Sequence, residues 1–146
     1  MTQVRPNNVD EALAAWDAGD EVETVEMGGL GAGYEMAIQC VAFELMRALR
    51  DDPALAAINA RVANNESFPP EFGRMLDEII WKLDEKQPDG TCKLGGLSGK
   101  QASAAKSMAV NFTRHGWQNA RDTVPERMIF VRKADPVALY EAERAA

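Results

Sequence analysis

Four glycines in six residues, Gly28, Gly29, Gly31 and Gly33, stand where an alternating segment at 21–27 runs into a helical pattern. A strand, a glycine-rich turn and a helix start, in that order, leave backbone N–H groups free to meet an anion. A second glycine-rich stretch at 87–99 ends in Gly99, Lys100 and Gln101, again at the start of a helical pattern. Two readings of these glycines stand side by side. Either they supply positive φ angles and close packing between strand and helix, or their backbone contacts a small ligand. In the ligand reading, Tyr34 and Gln39 give hydrogen bonds above the first loop, and Gly99, Lys100 and Gln101 belong to the second. Glu35 lies four residues before Gln39 on the same helix face. In a first turn its charge suits the helix dipole, and it would repel a bare phosphate.

Several chemistries fail on spacing. The dinucleotide turn G-x-G-x-x-G needs glycine at 36, where Met36 stands, and no alternating β-α-β-α pattern follows. A P-loop ending at Gly99-Lys100 needs glycine at 94 and Ser or Thr at 101, where Leu94 and Gln101 stand. His115 is the single histidine and comes just before Gly116, a position that suits an imidazolium at a helix C-terminus. Ser98, Ser103, Ser107 and Asp122 are available to it, but no G-x-S-x-G elbow exists. The two cysteines and one histidine cannot build a Cys-rich zinc site. A carboxylate site for a hard cation stays open, and no spacing singles out a carboxylate pair for glycoside hydrolysis. No catalytic residue, metal ligand or cofactor motif emerges, and the chain reads as non-enzymatic.

The elements that must carry these residues are mostly helical. Asn8 caps a short helix at 9–17 with Val9, Leu13, Ala14 and Trp16 on its apolar side, and Gly19 stops it. Residues 21–27 fit an edge strand blunted by acidic side chains. The strongest helical pattern, 34–50, places Ile38, Val41, Leu45 and Leu49 on one stripe. Asp52-Pro53 opens a helix to about 62. Residues 71–86 form another, with Phe72, Met75, Leu76, Ile79, Ile80 and Leu83 inward. A helix at 99–115 ends at Gly116, and a helical turn follows at 117–122. Residues 127–133 read as a second strand, antiparallel to 21–27, and 137–144 as a terminal helix. The fold class is mainly α, with five to six helices and a small two-stranded antiparallel sheet in one compact domain at 8–146, after a disordered segment at 1–7. Trp16, Trp81 and Trp117 read as core or interface anchors. The stretches beginning at Gly28 and Gly95 match at six of twenty positions, which leaves an internal repeat open.

Net charge is −7, which disfavours general nucleic-acid binding. The charge is polarised. Residues 6–46 hold nine acidic side chains and no Lys or Arg, while 93–133 hold eight basic and two acidic ones. Either the two regions face each other within one fold, or they form partner-facing surfaces of opposite sign. In the second case Asp17, Asp20, Glu21 and Glu23 meet the partner. No apolar run is long enough to span a membrane, the first twenty residues lack an apolar signal core, and the expected location is the cytoplasm.

The stretch VEMGGLGAGYEMAIQ resembles a group of small uncharacterised accessory proteins of tailed phages and prophages that share a VEMGGLG-x-GYE-x-AIQ pattern. The similarity extends to EALAAWDAGD, the LSG-x-Q loop and the VPERMIFV strand. It implies a phage accessory setting, with the host cell cytoplasm as location, and carries no catalytic residue. Two functions follow as expectations. One is an acidic protein that inhibits a host defence factor by occupying a basic groove. The other is a small-ligand or nucleotide-sequestering protein that uses the glycine loops. The partner is accordingly a host protein or a small anionic ligand, and the chain is a monomer or a homodimer.

Overall fold

The computed structural model describes residues 2–27, 34–62, 69–83 and 97–133. Among them are five helices and a three-stranded sheet: β1 (Gln3–Val4), α1 (Val9–Asp17), β2 (Glu21–Val25), α2 (Glu35–Asp51), α3 (Pro53–Val62), α4 (Pro70–Leu83), α5 (Gly99–Thr123) and β3 (Met128–Val131), with a 3-10 turn at Pro125–Arg127 before β3. The glycine loop 28–33, the stretch 84–96 with Cys92, and the expected helix 137–144 lie outside the described residues.

Local signals set most of these elements. Asn8 Oδ1 accepts the Glu11 N–H at 2.9 Å, and Glu11 reaches back to the Asn7 N–H at 2.7 Å, so two free donors at the start of α1 are satisfied. Gly19, at φ +83°, turns the chain into β2. Asp52 Oδ1 accepts the Ala54 N–H at 2.9 Å, with Pro53 at the first helical position of α3. Ser98 and Gln101 form a reciprocal capping box at the start of α5.

Helix α2 is the centre of the molecule. Ten of its seventeen residues are buried, and α1, α3, α4 and α5 all pack on it. Trp16 of α1 stacks flat on Phe43 of α2, 4.1 Å between ring centres. The buried side of α1 is Ala12, Leu13, Ala15 and Trp16, while Ala14 is exposed and Val9 half-buried. Leu13 and Trp16 are inward as expected, while Ala12 and Ala15 take the place of Ala14. Ile38/Ala105, Val41/Met108, Ala42/Ala109 and Leu45/Phe112 are buried at matching places in the two stretches compared above. Any two core helices with the same 3.6-residue stripe give that correspondence, so it adds nothing to the repeat reading.

The sheet differs from the expectation in two ways. Segment 1–7 is not wholly disordered, because Gln3 and Val4 pair parallel with Glu21 and Val22. Strand β2 is therefore central rather than an edge, and the sheet has three strands of mixed direction. The antiparallel partner is the expected one: Val22 faces Val131, Glu23 faces Phe130, Thr24 faces Ile129 and Val25 faces Met128. A two-residue strand is too short to show any alternation, which is why β1 cannot be read in advance. Trp81 is 78% exposed on α4, so it is not a core anchor.

Gly116 interrupts α5 as its sequence position suggests, at φ +68° and ψ −167°. A Cβ there would also sit 3.2 Å from the Asn7 carbonyl oxygen. Gly19 has open space around it. Gly116→Ala is therefore expected to cost about 1–3 kcal/mol and more than Gly19→Ala, whose strain is purely conformational. Paired urea melts of the two variants check the ranking.

Candidate ligand-binding cleft

The described residues around the glycine loop are engaged in structure. Glu35 Oε1 accepts the Met27 N–H at 2.7 Å, tying the end of the β2 segment to the first turn of α2. Gln39 is fully buried. Its Oε1 accepts the Thr24 hydroxyl at 2.9 Å and its Nε2 donates to the Val25 carbonyl at 2.8 Å. The expectation that Gln39 faces a ligand is corrected by that burial: its amide replaces the hydrogen bonds that Thr24 and Val25 would otherwise lose inside the protein. Gln101 is likewise buried, and its side chain accepts the Ser98 N–H at 2.8 Å, so it caps a helix rather than meeting a ligand. Tyr34 is half-buried against the core, whereas Gly99 and Lys100 are exposed on the first turn of α5. Gly28, Gly29, Gly31 and Gly33 lie outside the described residues.

Of the acidic residues singled out for a partner, two are held internally. Arg47 grips Asp17 with two bonds, at 2.6 and 2.9 Å, and Lys133 approaches it at 3.6 Å. The Arg47 hydrogen bonds hold the Asp17 carboxyl below the usual carboxylate range. Glu23 is 5% exposed and takes the Arg121 guanidinium at 2.7 Å, with Arg5 3.9 Å away. A buried carboxylate paired in this way offers no contact to another molecule. Asp20 and Glu21 are half-exposed, and Glu21 accepts the Gln3 side-chain amide at 3.0 Å.

Of the residues available to His115, two are engaged elsewhere: Ser98 is a helix cap, and Asp122 accepts the Gln118 amide at 2.9 Å. His115 lines a cleft of about 380 Å³ beside the end of the β2 segment, with Met27, Ser107, Asn111, Asn119 and Arg127. Asn111, His115 and Asn119 recur every four residues on α5, and all are exposed. Among the described residues, no three His, Cys, Asp or Glu side chains cluster to hold a metal ion.

A larger cleft, about 580 Å³, opens between α1, the end of α2, α3 and α5. Its volume falls within the range of small-molecule sites. Val9, Leu49, Ala56 and Phe112 give it an apolar lining, and Asn59, Thr113 and Arg114 bring polar groups. Asn59 is 8% exposed. Its Nδ2 donates to Thr113 Oγ1 at 2.9 Å, while its Oδ1 is buried with no partner. The Nε of Arg114 is also buried with no partner. Arg50 at the rim adds no free charge, because Asp51 and Asp10 take its guanidinium at 2.7 and 3.3 Å.

Neither Asn59 nor Arg114 stood out in the sequence, although a signal exists. Leu55, Ile58 and Asn59 share the inward stripe of α3, and Val110, Thr113 and Arg114 share one side of α5. Polar residues at core-facing positions break the binary pattern. That break is the readable mark of the cleft.

The Glu23–Arg121 pair yields a test of the surrounding frame. Arg121→Met strands a buried carboxylate and is expected to cost about 3–5 kcal/mol. The double variant Glu23→Leu/Arg121→Met is expected to recover most of that loss. Urea unfolding of the single and double variants measures both. Comparison of the chain with known protein families, with curated proteins and with solved structures finds no match.

Proposed function

We propose that this chain is a non-enzymatic binding protein that holds a small ligand in the cleft between α1, α3 and α5. The observation that carries the reading is the cleft itself, about 580 Å³, with apolar walls from Val9, Leu49, Ala56 and Phe112 and polar side chains from Asn59, Thr113 and Arg114. Sequestration needs a site of this kind and no catalytic group, and it suits the phage accessory setting implied by the VEMGGLGAGYEMAIQ resemblance. In that setting the site operates in the host cytoplasm.

Native mass spectrometry of the freshly purified chain, followed by a thermal-shift screen of small metabolites, tests the reading. A retained or selected ligand is expected, and Arg114→Met is expected to weaken it roughly tenfold or more, equivalent to about 1.4 kcal/mol. A bare mass with no stabilising compound would refute it.

A second reading keeps the acidic surface as a contact for a basic host protein. Glu11, Asp20, Glu21 and Glu26 support it, since among the described residues none of them has a cation within ion-pair distance. Such capture is expected to weaken steeply between about 0.1 and 0.5 M salt, as screening shortens from roughly 10 Å to a few ångströms. A pull-down repeated across that range reads it, and capture indifferent to salt would speak against an electrostatic contact.

A further inference from the structure

We propose that the smaller cleft, along α5 beside the end of the β2 segment, is a second binding site that takes a small organic oxyanion, a carboxylate or phosphate group on an apolar body. The proposal stands apart from the small-ligand reading of the larger cleft. The linings of the two clefts share only Phe112 and Gly116.

The break at Gly116 shapes this site. Ser107, Asn111 and His115 line it from the arm of α5 before the break, and Asn119 and Thr123 from the arm after it. Val25 and Met27 close it from the β2 segment, and Arg127 reaches it from the turn before β3. Met108, Phe112, Ala120 and Val124 supply further apolar wall. A volume of about 380 Å³ suits a small organic molecule.

Charge decides what enters. The chain has a net charge of −7, yet among the described residues no Asp or Glu lines this cleft. Its ionisable lining residues are Arg127 and His115, and both are exposed. Among the described residues neither has a carboxylate within ion-pair distance. Arg127 donates one N–H to the Glu26 carbonyl. That neutral acceptor orients the guanidinium and leaves its charge uncancelled, with further N–H donors to spend. The neighbouring carboxylates stay outside: Asp122 accepts the Gln118 amide, and Glu126 is exposed on the turn.

The neutral polar groups do not alter the selection. The exposed amides of Asn111 and Asn119 and the Ser107 hydroxyl can each turn to donate or to accept. A cationic ligand would meet Arg127 with like charge. A hydrocarbon would strip water from the guanidinium and return nothing. An oxyanion replaces that water with charge-assisted hydrogen bonds, and the apolar walls cover the rest of the molecule.

The full chain, isotope-labelled for NMR, is titrated with phenyl phosphate, with phenylacetate and with neutral phenylacetamide. Binding of phenyl phosphate identifies a phosphate monoester as the source, and binding of phenylacetate a carboxylate. Either is expected to shift the amide signals of Asn111, His115 and Asn119. Phenylacetamide is expected to bind roughly tenfold more weakly than the better anion, and Arg127→Met is expected to weaken that anion roughly tenfold or more. His115→Gln is expected to weaken it by about threefold. Should Arg127→Met not fold, His115→Gln carries the test from its exposed position on α5. Phenylacetamide binding as tightly as the better anion, or anion binding indifferent to both variants, would overturn the proposal. So would shifts confined to Asn59 and Thr113, which would move the anion to the larger cleft. No shift with either anion up to about 10 mM would overturn it as well, and would leave the larger cleft's reading untouched.

Discussion

A carboxylate in the middle of the central strand sets the terms for its surroundings. Glu23 is buried between β1 and β3, and a buried charge is tolerated only when it is paired and hydrogen-bonded. Its cation, Arg121, comes from the part of α5 beyond the Gly116 break. The same guanidinium donates to the Pro6 carbonyl, and Trp117, four residues earlier, donates its indole N–H to the Glu23 carbonyl at 2.7 Å. The redirection of α5 at Gly116, the docking of residues 3–7 and the three-stranded sheet therefore meet at one ion pair. Without the positive φ at Gly116, the chain beyond it could not leave the line of α5, and Glu23 would lose its partner.

The charge polarity of the chain is resolved inward in part. Asp17 joins Lys133 and Arg47, Glu23 joins Arg121, and Arg127 donates to the Glu26 carbonyl. The acidic and basic stretches thus meet across the β2–β3 side of the molecule. Part of the polarity that suggests two partner surfaces is an assembly code within one fold. Among the described residues, Glu11, Asp20, Glu21 and Glu26 have no cation within ion-pair distance.

How much of this was legible follows the length and regularity of each signal. The stripe of α2, the Asn8 and Asp52 caps, the Gly116 break and the β2–β3 pairing all rest on patterns spread over several residues or on one strong conformational preference. Strand β1 has two residues and no pattern. The burial of Glu23 was hidden because its alternation reads as outward and acidic, whereas Val22, Glu23 and Thr24 are all buried by packing on both faces of β2. Gln39 and Gln101 sit near glycine loops as ligand contacts would, yet Gln39 bonds the Val25 carbonyl of β2 and Gln101 caps its own helix. The cleft is not evident in the sequence because Asn59 on α3 and Thr113 and Arg114 on α5 are brought together only by tertiary packing.

The docking of residues 3–7 has a consequence for synthesis. The Pro6 carbonyl meets its donor 115 positions later in the chain, and the Trp117 bond to Glu23 spans 94. Early-made residues therefore wait for late-made ones. At about 5–20 residues per second, the ribosome needs roughly 6–23 s to supply Arg121 after Pro6 has been added. During that interval α1 and α2 can pack on each other, since the Trp16–Phe43 stack spans a short stretch of chain. The sheet cannot close, and the Glu23 carboxylate stays in water until α5 and β3 emerge. The α1–α2 pair is thus free to form early, and the strand layer is sealed only once α5 and β3 have emerged.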